Sequence, residues 1–85
     1  METRVAIISI VVDDSSSVEE LNQILHQYGT YIIGRMGIPY QKREISLISV
    51  AMDAPSEIIS AVTGKIGMLT GVTSKAVYSK LPAQM

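Results

Sequence analysis

Nine consecutive residues near the start of the chain, Arg4–Val12 (RVAIISIVV), constrain this sequence most. They are β-branched almost throughout and too few for a long buried helix, so they read as a strand, β1. Alternation puts Val5, Ile7 and Val11 on one side and Ala6, Ile8, Ile10 and Val12 on the other. A strand apolar on both faces belongs in the middle of a sheet. Residues 44–53 (EISLISVAMD) repeat the pattern, with Ile45, Leu47 and Ala51 opposing Ile48, Val50 and Met52, and form a second central strand, β3.

Between them, Asp13 and Asp14 lead into Ser15, Ser16 and Ser17. Ser17 with Glu20, or Ser16 with Glu19, fits a capping box, and the acids complement a helix N-terminus. Val18, Leu21, Ile24, Leu25 and Tyr28 recur at helical spacing over residues 18–28, which form α1, and Gly29 stands where a left-handed cap belongs. Residues 31–37 then predict a strand, β2, weakened by Gly34 and Gly37, with residues 38–43 as a polar turn. Pro55 suits the first turn of α2 (55–67), whose stripe is Ile58, Ile59, Val62 and Ile66 continuing toward Leu69, with Gly64 and Gly67 ending it. Residues 71–80 form β4, Leu81 and Pro82 close the domain, and Ala83, Gln84 and Met85 are expected to fray.

The order βαββαβ predicts an α+β, ferredoxin-like split βαβ sandwich: a four-stranded antiparallel sheet in the order 4-1-3-2, with both helices on one face and all 85 residues in one domain. Arg35 with two glycines on β2, and Lys75 and Lys80 on β4, suit edge strands. Helices cover only one face of such a sheet. The other would expose five or more aliphatic side chains, each worth about 1.5–3 kcal/mol when buried, and a patch of that size calls for a second copy, through face-to-face or edge-linked sheets. A chain of this length buries only about 60–65% of its unfolded surface, which makes the same demand. A homodimer and a homotetramer both satisfy it.

Absence of cysteine removes disulfides, iron–sulfur ligation, thiolate zinc and thiol catalysis, and makes a reducing cytoplasm the expected compartment. No apolar run approaches the ~20 residues of a membrane span, and the first residues lack a signal-peptide cleavage region. Seven Lys/Arg against eight Asp/Glu, scattered along the chain, leave no concentrated basic face, so direct nucleic-acid binding is not expected.

Chemistry-bearing residues are few. His26, the only histidine, lies off the α1 stripe and reads as a rim residue; one imidazole holds no metal alone, and no cofactor is indicated. Arg35, between Gly34 and Met36 and close to Tyr40, reads as an edge charge, yet its guanidinium is also suited to holding a carboxylate or phosphate where glycines let a ligand approach, and Arg35 and Tyr40 are the leading ligand-binding candidates. Asp13 at the start of α1 and Lys65 between Gly64 and Gly67 are weaker ligand-binding candidates, the latter without phosphate-loop spacing. No serine has a placed base, and no catalytic residue is assigned.

The strings YIIGRMGIPY (residues 31–40) and GKIGMLTG (64–71), with the opening RVAIISIVV, resemble the short bacterial proteins grouped as regulators of the iron-only hydrogenase system. That family is similar to the ACT-like C-terminal domain of the nickel-responsive regulator, which multimerises through its sheets and binds metal or small ligands between subunits. The resemblance implies a non-enzymatic, oligomeric regulatory module that binds a small ligand or a partner protein. Two features depart from the nickel regulator: its histidine and cysteine ligands are reduced here to one histidine, and its ribbon-helix-helix segment has no counterpart before Arg4. The loop Asp13, Asp14, Ser15, Ser16 also lacks the glycine usual in amino-acid-binding ACT domains. The competing expectations are a small cofactor-free enzyme using His26 or Tyr28 as acid/base, and a structural subunit of a larger complex. A cleft placing His26 beside a carboxylate would favour the enzyme.

Overall fold

A computed structural model describes residues 2–80; the expectations for residues 81–85 lie outside that range. The order is β1 (Arg4–Val12), α1 (Val18–Gln27), β2 (Ile32–Tyr40), β3 (Ile45–Ala54), α2 (Ser56–Gly67) and β4 (Val72–Tyr78). The strands form one antiparallel sheet ordered β2-β3-β1-β4, which is the expected 4-1-3-2 arrangement.

Period-2 alternation divides the sheet cleanly. Ala6, Ile8, Ile10 and Val12 of β1, Val50, Met52 and Ala54 of β3, and Val72 of β4 are buried together with Leu21 and Leu25 of α1 and Ile59, Val62 and Ile66 of α2. This single cluster of aliphatic side chains is the core, and every large member contributes on the order of 1.5–3 kcal/mol by leaving water. Val18, Ile24, Tyr28, Ile58 and Leu69 pack around its margin, so both helical stripes face the sheet as their spacing predicts.

Four local expectations are corrected. No serine caps α1 through its side chain. Asp14 instead caps a 3₁₀ turn over Ser15–Ser17, its Oδ1 accepting from the Ser16 N–H at 2.9 Å and the Ser16 hydroxyl at 2.7 Å. Ser17 is buried, and its hydroxyl donates to the Thr70 carbonyl at 2.6 Å, tying the start of α1 to the turn before β4. Gly29 opens a second 3₁₀ turn, Gly29–Tyr31, and is not left-handed; that conformation falls to Gly71 and, in the β2–β3 turn, to Glu44. Gly64 lies within α2 and does not end it.

The fourth correction matters most for function. Residues 38–40 are not a turn: β2 runs on through Ile38, Pro39 and Tyr40, paired with Leu47, Ser46 and Ile45. An edge strand tolerates proline because only part of its N–H groups face the neighbouring strand. A register shift between Ile32 and Gly34 marks a bulge near the beginning of the strand.

Candidate functional site: the open face of the sheet

Pairing registers place Val5, Ile7, Ser9 and Val11 of β1 on the face away from the helices, beside Asp53, Ala51, Ser49 and Leu47 of β3, which continues on this face to Ile45. The edge strands add Gly34, Met36, Ile38 and Tyr40 from β2 and Thr73, Lys75 and Val77 from β4. Val5, Ile7, Met36, Ile38, Tyr40, Leu47 and Val77 are all exposed, Met36 the most of these at 65%. The face is apolar except for a transverse polar row formed by Lys75, Ser9 and Ser49, for Thr73 on β4, and for the exposed Asp53 opposite Val5.

Four strands ~4.8 Å apart, each about nine residues long at ~3.3 Å per residue, give a flat footprint of roughly 600 Å² before side-chain relief is added. A standard protein interface covers about 800 Å² per partner. The open face therefore approaches the size of a complete interface and stands at the upper end of the apolar patches that monomers leave in water.

Two hollows indent it on either side of Met36. One, of about 280 Å³, is lined by Ile7, Gly34, Arg35, Met36, Ser49 and Ala51. The other, of about 170 Å³, lies among Ser9, Val11, Met36, Ile38, Leu47 and Ser49. The first owes its depth to the small residues Gly34, Ser49 and Ala51 standing next to Met36 and Ile7.

The four ligand-binding candidates read from the sequence are dispersed. Arg35 pairs with Val50, so it lies on the helix side of β2, where its Nη2 donates to Asn22 Oδ1 of α1 at 3.3 Å. Tyr40, five residues on, lies on the open face: an odd separation along a strand puts two side chains on opposite sides. The Asp13 backbone N–H donates to the Gly71 carbonyl at 2.7 Å, and its side chain is exposed. Lys65 Nζ donates to the Tyr28 hydroxyl at 2.8 Å, joining α2 to the end of α1. Among the described residues no hydrogen bond joins any two of the four.

His26 is exposed in the last turn of α1 rather than set in a cleft, so the geometry that would favour acid/base catalysis by it is not realised. Among the described residues no three His, Asp or Glu side chains group as metal ligands, and no helix is long and apolar enough to cross a membrane. The Ser16 hydroxyl first, and the Ser16 N–H second, hold the Asp14 carboxyl below its ordinary value.

Sequence reasoning missed two features. The apolar run Met36, Ile38, Tyr40 on β2 was legible as alternation, but Pro39 and the polar residues after it suggested a turn. At the opposite end of the sheet a hollow of about 550 Å³ is lined by Glu2, Arg4, Tyr31, Pro55, Ser56, Glu57 and Ile58. There the Arg4 guanidinium lies 4.4 Å from the centroid of the Tyr78 ring and donates to the Ser79 carbonyl at 3.3 Å. Contacts between the two ends of a chain leave no local pattern to read.

An antiparallel split βαβ sandwich with one helix-covered face and one bare apolar face defines the class of molecule. Residues 4–76 match the model of the TM1266-like family, described as "Iron-only hydrogenase system regulator, putative", and the chain belongs to that family. It is similar to the uncharacterized protein TM1266 from Thermotoga maritima, whose solved structure it matches with a TM-score of 0.89 at 31% identity, over 93% of this chain and 100% of that one. Among curated proteins no sequence matches.

Proposed function

We propose that this chain is a non-enzymatic regulatory module of the iron-only hydrogenase system that works as an assembly of identical subunits joined through the open sheet face. The observation that carries this reading is the bare apolar face, supported by membership of a family described as regulatory. Leaving seven large apolar side chains exposed is unfavourable for an isolated domain, and a second copy offers a surface of the same chemistry and size.

In such an assembly a small ligand or a partner protein acts by favouring one packing of the subunits over another, since binding shifts an equilibrium only through a difference in affinity between its states. The Arg35 guanidinium and its partner Asn22 lie on the helix side of the sheet, away from the self-association surface, and are available to hold a carboxylate or phosphate group. Tyr40 lies at the rim of the open face, where covering by a second copy would couple it to assembly. Asp13 and Lys65 are secondary candidates, because Asp13 stands beside a backbone turn contact and Lys65 is engaged by Tyr28.

Native mass spectrometry of the purified protein and of Arg35→Ala tests both halves. The expected result is an assembly in both proteins, with any retained small-molecule mass lost in the variant. A monomeric wild type removes the assembly half, and an Arg35→Ala protein that keeps the same bound mass removes the role of Arg35.

A further inference from the structure

The open face carries a knob and a hollow side by side. Met36 is the most exposed of its large apolar side chains, and the 280 Å³ hollow beside it is floored by Gly34, Ser49 and Ala51. Gly34 precedes Met36 by two residues on the same strand face, and a Cβ built on it meets nothing within 4 Å. The depression is thus bounded by what the neighbouring residues lack, not by anything filling it from within the chain.

Adjacent knob and hollow are what a two-fold interface requires, because in such an interface residue i meets j and j meets i. We propose that the occupant of the hollow is Met36 from a second copy of this chain, so that the two copies interlock reciprocally through Met36 and the Gly34, Ser49 and Ala51 floor. This inference rests on the self-association reading and specifies its register.

A two-fold axis lying between the sheets and crossing the strands between the Met36 and Gly34 positions lays β2 over β2 and places each Met36 above the other's hollow. The same operation superposes the full width of both sheets, which is what burial of roughly 600 Å² per copy needs. Lys75 stands exposed on the edge strand β4, where a lysine is able to keep its ammonium in water while its stem covers apolar surface. A flexible, unbranched thioether suits a hollow that must be filled from outside.

The test is a size swap measured by sedimentation equilibrium, with circular dichroism confirming the fold of each variant. Gly34→Leu fills the hollow from below, in space that is open in the single chain, and Met36→Ala removes the knob. Each is expected to raise the dimer dissociation constant by about tenfold or more, two symmetric contacts being lost at once. The double variant Gly34→Leu, Met36→Ala restores the filling and is expected to recover most of that loss. Single variants that associate as tightly as an oligomeric wild type would overturn the interlock while leaving self-association standing, as would a double variant with no recovery. A monomeric wild type would overturn both.

Discussion

At Gly71 the backbone takes φ +69°, and a Cβ there would stand 2.5 Å from Asp14 Cβ. A non-glycine residue in that conformation costs about 1–2 kcal/mol before any clash is counted, so Gly71→Ala is predicted to lose about 2 kcal/mol or more in urea denaturation. Asp14, the neighbour that makes the position so tight, has a carboxyl held below its ordinary 3.8 by the Ser16 hydroxyl and N–H. A depressed folded pKa means stability that is present above the ordinary value and is lost as pH falls through the lower, folded one. Replacing Asp14 with Asn keeps an acceptor but removes the titration, and is predicted to flatten the dependence of Tm on pH in the acid range; an unchanged acid slope would count against the Asp14 cap. The sequence made Asp14 a visible helix-start residue, but it also offered Ser16 and Ser17 as caps. Which of three adjacent polar side chains points at the backbone depends on where Thr70 arrives from the far side of α2, a distance of 53 residues along the chain.

Elements are held in register by hydroxyl bridges as well as by the core. Ser17 joins the start of α1 to Thr70, and Ser74 of β4 donates to the Thr63 carbonyl of α2 at 2.7 Å. Ser17→Ala leaves the carbonyl without its buried donor and is predicted to cost about 1–2 kcal/mol, more than truncating the exposed Glu20, which a capping box would have made the equal partner. Ile59, fully buried where α2 meets the sheet, is predicted to cost about 2–5 kcal/mol as Ala, read by thermal or urea unfolding. The central strands and both helical stripes were legible because burial imposes a period on sequence: 2 for β1 and β3, 3.6 for α1 and α2. The end of β2 was not, since Pro39 breaks the composition of a strand without breaking its geometry on an edge. Arg35 and Tyr40 were grouped by nearness in sequence, and alternation sets them on opposite faces.

The whole molecule is a sheet with a helical roof and a bare floor. That imbalance followed from the two-sided apolar pattern of β1 and β3, and the structure widens it with Met36, Ile38 and Val77 from the edges. Placing a charge in the middle of the floor, as in Leu47→Lys or Ile7→Lys, is predicted to weaken association by at least about tenfold while leaving the circular dichroism spectrum intact, because these side chains face away from the core. What the pattern left unread is the relief of the face, which depends on four strands coming into register and is invisible in any one of them. Sedimentation equilibrium of the unmodified protein at micromolar concentration tests the central claim most directly. An assembly of two or more chains that dissociates on dilution is the predicted result, and a monomer at every concentration would contradict it.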